Sequence, residues 1–109
     1  SDDGVTWGPV MVSTLPNPGS GLDGICLQSG RWLLIHNDAR EGRGRLAVSM
    51  SDDEGKTWKW KRLLEDLSEG SAHYPCIIQT RDGQIHAVYS YFVSGGKSMK
   101  HSVFSEAWL

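Results

Sequence analysis

The eight residues from Ser51 to Trp58 constrain the fold of this chain more than any other stretch. They read Ser-Asp-Asp-Glu-Gly-Lys-Thr-Trp, and β-prone runs lie on both sides, at residues 45–50 and 58–64. Two such runs joined by a short Asp/Gly turn predict a β-hairpin. Glycine supplies the positive φ that a tight turn needs, and the Ser, Asp and Thr oxygens can bond to the turn amides. The residues with this structural role are Ser51, Asp53, Gly55, Thr57 and Trp58.

A second copy of this turn motif stands at the N-terminus. Its residues precede their counterparts by 51 positions, and the leading serine of the motif has no counterpart at that offset. We therefore expect the chain to start inside a hairpin, as a piece of a longer protein. The matching residues of this copy are Asp2, Gly4, Thr6 and Trp7.

The spacing between the two turns extends into a longer internal repeat. The offset of 51 also relates residues 19–20 to 70–71 and residues 26–28 to 77–79. After a two-residue insertion near Arg81 the offset becomes 53. A repeat of about 50 residues with four short strands is typical of β-propeller blades. The sequence therefore predicts an all-β chain of four-stranded antiparallel blades.

The repeat divides the chain into three parts. Residues 1–14 are expected to hold a turn and the outer strand of one blade, residues 22–65 a complete blade, and residues 74–104 the first three strands of a last blade. The predicted strands are Pro9–Ser13, Gly24–Gln28, Trp32–His36, Arg45–Ser49, Trp58–Leu64, Cys76–Thr80, Gln84–Tyr91 and Ser98–Phe104.

Composition excludes several classes of function. With 11 basic and 13 acidic residues the net charge is −2, so nucleic acid and anionic membranes are not expected partners. No apolar run approaches the roughly 20 residues that span a bilayer. Cys26 and Cys76 form no disulfide framework, and no His or Cys pair has metal-ligand spacing. We expect both cysteines to be free and buried, and no metal or cofactor to be used.

The turn motif resembles the Asp-box of BNR-repeat, sialidase-like β-propellers. The segment from Tyr74 to Ile85, running on to Tyr89, resembles the sialidase segment around the catalytic tyrosine, although Ser90 stands where that family usually has Glu. The ending from Lys100 to Leu109 resembles a sialidase C-terminus. The resemblance implies the C-terminal portion of a six-bladed ring, of which this chain supplies about two blades.

The resemblance also implies a chemistry, an exo-α-sialidase that releases terminal sialic acid from glycans with retention. Sialidases use a tyrosine nucleophile, and Tyr74 matches that position. Asp23 lies near the place of the family's partner glutamate and is a candidate catalytic residue. Arg43 is the first choice for binding the substrate carboxylate, with Arg40 and Arg45 as rivals. His73 is a candidate for orienting a sugar hydroxyl. The acid/base Asp and a first clamp Arg have no counterpart here, so we expect the parent protein to be the sialidase and this portion alone to be inactive.

Other readings of the same residues stay open. The three arginines also fit a solvated loop. The chain could be a carbohydrate-binding or scaffolding propeller without hydrolysis, a reading that Ser90 favours. It could also be another propeller glycosidase or a polysaccharide lyase with His73 as its base.

The repeat carries an expectation about assembly as well. Two blades do not close a ring, and Pro9–Ser13 of one chain could complete the three-stranded last blade of another. A homo-oligomer formed by strand exchange follows, and three copies would supply six blades. The rival is a monomer in which that strand folds back onto its own chain.

Overall fold

The computed structural model describes all 109 residues and consists of two antiparallel β-sheets without an α-helix. Sheet A contains, in order, β1 (Asp23–Cys26), β2 (Trp32–Asn37), β3 (Arg45–Ser51) and β4 (Trp60–Asp66). Sheet B contains β5 (Ser71–Gln79), β6 (Ile85–Val93) and β7 (Gly96–Phe104). A 3₁₀ helix, η1 (Glu106–Trp108), follows β7. The chain has no helix long and apolar enough to cross a membrane.

One hydrophobic core lies between the two sheets. Alternate residues of each strand point into it, as a period of two requires. Leu33, Ile35 and Val48 from sheet A are almost fully buried there against Ile77 and Tyr89 of sheet B. Each sheet therefore has an inner face, which lines this core, and an outer face on the opposite side.

Hydrogen bonds from side chains hold the two sheets together at one end of the core. The Asp23 carboxylate accepts a bond from the Ile77 amide at 2.9 Å. The Gln28 amide donates to the Gln79 side chain at 2.8 Å, and the Gln28 side chain donates to the Thr80 carbonyl at 3.0 Å. The turns that precede β2 and β6 are thus fixed against one another.

The strand pairing shows that the two-residue insertion predicted near Arg81 does not lie in that turn. The turn that ends β1 closes with Leu27 bonded to Arg31, and the equivalent turn after β5 closes with Thr80 bonded to Gln84, so the offset is already 53 there. One extra residue lies earlier, in a bulge between His73 and Cys76 where the pairing of β5 with β6 shifts. The predicted insertion near Arg81 is therefore wrong, because the turns themselves have equal length.

The two copies of the turn motif, here called the Asp-turns, lie at residues 1–7 and 51–58 and have the same hydrogen bonds but different lengths. In the second, the Ser51 hydroxyl and the Thr57 amide and hydroxyl all donate to the Asp53 carboxylate at 2.6–2.8 Å. In the first turn these roles belong to Ser1, Asp3 and Thr6, at 2.7–3.0 Å. Asp3, and not Asp2, is therefore the structural aspartate, and the leading serine is present.

The difference between the turns comes from one residue. Glu54 occupies the left-handed region, with φ of 59°, directly before Gly55 at φ of 79°. The first turn has no counterpart of Glu54 and passes straight from Asp3 to Gly4, at φ of 72°. Trp58 lines an apolar recess, whereas Trp7 is 74% exposed.

Two further expectations are corrected. Pro9–Ser13 is not a strand, because no neighbouring strand lies alongside it to accept and donate backbone bonds, and its side chains are exposed. Cys26 and Cys76 are free as expected, but both are exposed. Each cysteine lies on the outer face of its sheet, away from the core.

After β7 the chain turns back towards sheet A. Glu106 of η1 accepts hydrogen bonds from Ser29 and from the Arg31 guanidinium, at 2.9 and 2.7 Å. The Trp108 carbonyl accepts a bond from Arg62 at 3.1 Å. The outer edge of β7 consequently has no partner strand, whereas β3 at the same place in sheet A is paired with β4.

Candidate functional site

A bulge in β5 presents Tyr74 to solvent. Between the pairs His73–Ser90 and Cys76–Val88, β5 has two residues where β6 has one. Tyr74 takes a φ of 50°, which is rare for a residue other than glycine, and its side chain is 61% exposed. Backbone strain of this kind is concentrated at functional sites, which makes Tyr74 a candidate on geometry as well as on sequence.

Arg43 is held beside this tyrosine. Its guanidinium carbon lies 5.3 Å from the centre of the Tyr74 ring, within the range of a cation–π contact. The Arg43 carbonyl accepts a bond from the Ala72 amide at 2.8 Å. The arginine loop, which is the connection between β2 and β3 that carries Arg40 and Arg43, is therefore tied to β5 just before the bulge. The structure therefore brings together two of the residues that sequence reasoning selected.

Asn37 anchors this arrangement, and sequence reasoning missed it. It is completely buried, and its amide donates to the carbonyls of Arg43, Arg45 and Ala72 at 3.4, 3.0 and 2.8 Å. Its own carbonyl accepts a bond from the Ser20 hydroxyl at 2.7 Å. A buried amide with every bond satisfied fixes the arginine loop and β5 together. The only sequence cue is an asparagine at a strand end.

The rival arginines have different surroundings. Arg40 is exposed and makes no hydrogen bond or ion pair. Arg45 is paired with Asp38 at 3.9 Å and with Asp66 at 3.6 Å. Of the three arginines, Arg43 is thus the one that contacts Tyr74.

His73 lies beneath the bulge and is only 7% exposed. Its ring packs edge-on between the rings of Tyr74 and Phe92, at 5.0 and 4.9 Å between centroids, and its Nδ1 atom has no hydrogen-bond partner. Burial lowers the pKa of His73, and the positive charge of Arg43 lowers it further. The imidazole is therefore neutral at pH 7 and retains one unused polar atom.

Asp23 faces a different group from the one predicted. One carboxylate oxygen accepts the Ile77 amide, and the other accepts its own neighbour, the Gly24 amide, at 2.9 Å. No hydrogen bond joins Asp23 to Tyr74. Asp23 therefore links the two sheets next to the bulge, and its catalytic role stays a prediction.

A second tyrosine has a carboxylate partner but is unsuited to act as a nucleophile. The Tyr89 hydroxyl is fully buried and donates to Glu65 at 2.6 Å, while the Ser102 hydroxyl donates to Tyr89 at 2.8 Å. Glu65 also forms an ion pair with Lys100. Burial first, and then the bond to Glu65, raise the pKa of Tyr89 well above its usual value. This cluster joins β4 to sheet B and is structural.

The chain offers no cluster of three or more His, Cys, Asp or Glu side chains that could hold a metal ion.

Two His residues on the outer face of sheet B contact each other. The Nδ1 atom of His86 lies 3.0 Å from the Nε2 atom of His101, with the rings stacked.

Two antiparallel sheets in tandem, together with the two Asp-turns, define an all-β repeat protein. The profile of the BNR repeat-like domain matches residues 1–87, and the chain therefore belongs to the BNR repeat-like domain family. Such repeats occur in sialidases and other glycosidases. No curated protein matches the chain.

Proposed function

We propose that the two sheets are adjacent blades of a sialidase-like β-propeller, and that Tyr74 and Arg43 belong to its glycan site. The observation that carries this proposal is the Arg43 guanidinium placed 5.3 Å from the Tyr74 ring on a strained bulge. Membership of a repeat family supports an architecture, whereas a function has to rest on the site.

The proposed reaction is release of a terminal sialic acid with retention. Arg43 would bind the substrate carboxylate, and a neutral tyrosine as nucleophile avoids repulsion by that carboxylate. Tyr74 would give its phenolic proton to a base and attack the anomeric carbon, while the glycosidic bond breaks and an acid from outside this portion protonates the leaving glycan oxygen. Water would then hydrolyse the tyrosyl intermediate, so that the configuration is retained. His73 would contribute its unused Nδ1 atom to a sugar hydroxyl once the bulge moves. Asp23 would support the bulge through the Ile77 amide, or act as the base if that bond opens.

Specific substitutions test this proposal. In the full-length parent, Tyr74→Phe should abolish cleavage of a fluorogenic α-sialoside and leave sialic acid binding nearly unchanged. Arg43→Met should weaken that binding at least about tenfold, the scale expected when a charge-assisted contact is lost. Arg40→Met is the matched control, because Arg40 lies on the same loop without contacts. Equal binding by the two arginine variants would refute the role of Arg43.

A non-catalytic glycan-binding propeller is the second candidate. The observation that favours it is that no carboxylate in this chain is bonded to the Tyr74 hydroxyl, so no base is in place to activate it. In that case sialic acid binding would depend on Arg43 while neither wild type nor Tyr74→Phe releases any product. The same two measurements therefore separate the two functions.

A further inference from the structure

The outer face of sheet B repeats the face of sheet A that forms the core. At the offset of 53, six residues of sheet B stand where sheet A has core residues. Ile78, His86, Val88, Met99, His101 and Val103 correspond to Ile25, Leu33, Ile35, Leu46, Val48 and Met50. In sheet A these side chains pack on the inner face of sheet B, whereas in sheet B they meet solvent, with Ile78 54% and Val103 51% exposed.

The outer face of sheet A has the complementary property. Its residues Gly24 and Leu34 correspond at the same offset to Ile77 and Ala87, which form the inner face of sheet B. This outer face carries an apolar recess of about 370 Å³ lined by Trp32, Leu34 and Trp58, among others. Each exposed face is therefore equivalent to one half of the sheet-to-sheet contact already present within the chain.

The edge of β7 and the N-terminal segment match in the same way. Residues 9–15 stand 51 positions before Trp60–Asp66, the strand that pairs with β3. The corresponding strand beside β7 is missing, and Val10 and Val12 are completely exposed. An unpaired edge beside an unpaired apolar segment favours strand addition.

We propose that copies of this chain associate head to tail. The outer face of sheet A of one copy packs on the outer face of sheet B of the next, and residues 9–13 of the first copy pair with the β7 edge of the second. One arrangement of the two copies makes both contacts. The reason is that the segment before sheet A is anchored on the outer face of sheet A, where His36 Nδ1 donates to the Pro16 carbonyl at 3.2 Å. The His86–His101 hydrogen bond satisfies these two nitrogens within the buried face.

Such contacts are heterologous, so the two surfaces of one copy are different and can be blocked separately. Val88→Glu with Val103→Glu places charge on the outer face of sheet B. Met11→Pro with Val12→Pro removes two consecutive backbone donors from the N-terminal segment, which is exposed and makes no core contact. Gln84→Glu with Ser94→Glu is the control, since it adds the same charge on turns of sheet B.

The experiment measures mass by light scattering and sedimentation from low micromolar to millimolar concentration. The wild type and the control should exceed the mass of one chain, each blocked variant alone should stay at one chain, and an equimolar mixture of the two blocked variants should reach two chains. Circular dichroism checks that each variant keeps its sheets. A wild type that stays at one chain throughout would overturn the proposal. A mixture that fails to pair, or a blocked variant that still associates, would overturn it as well.

Discussion

The buried hydroxyl of Tyr89 allows a sharp test of how the two sheets are held together. Tyr89→Phe removes the donor that reaches Glu65 at 2.6 Å and leaves the ring in place. A hydrogen bond to a charged group contributes about 1.5–3 kcal/mol, and the Ser102 hydroxyl also loses its acceptor. We expect the free energy of unfolding to fall by about 2 kcal/mol, which corresponds to a melting temperature lower by roughly 10 °C.

The assay is urea unfolding followed by tryptophan fluorescence. Tyr91→Phe is the matched control, because Tyr91 lies on the same strand, is only half-buried and makes no hydrogen bond through its hydroxyl. The control should change stability by less than about 0.5 kcal/mol. A double-mutant cycle with Glu65→Gln should show coupling of the two residues. If Tyr89→Phe and Tyr91→Phe unfold at the same urea concentration, the cluster does not stabilise the contact between the sheets.

The same tyrosine makes stability depend on alkaline pH. Because folding raises the pKa of Tyr89 above the usual value of 10.0, its contribution is complete below that pH and is lost as the pH rises towards the folded value. Tyr89→Phe should remove this part of the alkaline loss. Unfolding curves measured between neutral pH and pH 11 should show the stabilities of wild type and Tyr89→Phe converging above pH 10, and profiles that stay parallel would contradict this prediction.

Two further predictions concern the turns and the arginine loop. Hydrogen bonds from Thr57 and Ser51 lower the pKa of Asp53, so the carboxylate's contribution to stability is present above the ordinary pKa of 3.8 and is lost as the pH falls further. Asp53→Asn should therefore lower the melting temperature at pH 7 and flatten the dependence of melting on acid pH. An unchanged melting temperature would contradict this prediction. Gly44→Ala would place a Cβ 2.5 Å from the Leu67 carbonyl and should destabilise the loop, whereas Gly96→Ala meets nothing within 4 Å and serves as the thermal-shift control.

The sequence predicted the β-sheets well because local chemistry determines them. The Asp-turn at Ser51–Trp58, the alternating apolar residues and the turns at Gly30 and Gly83 each specify a conformation within a few residues. Strand positions were therefore correct to within a few residues, except at Pro9–Ser13. That segment has strand-like composition, but a strand also needs a partner, which composition does not supply.

The site was predictable only in part. Tyr74 and Arg43 could be selected by residue type and by spacing from a known family pattern. The bulge that exposes Tyr74 could not, because one extra residue in β5 looks the same as one in the neighbouring turn when no pairing is known. Asn37 was missed for a similar reason, since its role comes from contacts with carbonyls that lie far away in sequence.

The unequal Asp-turns have a practical consequence. Their shared bonds connect a serine, an aspartate, a glycine and a threonine, and the same bonds form whether or not a residue stands where Glu54 does. Chain length at this point is therefore uncoupled from the geometry that clamps the turn. Glu54 is exposed and lies outside the core, so it is a natural place to graft an epitope tag or a reporter peptide without disturbing either sheet.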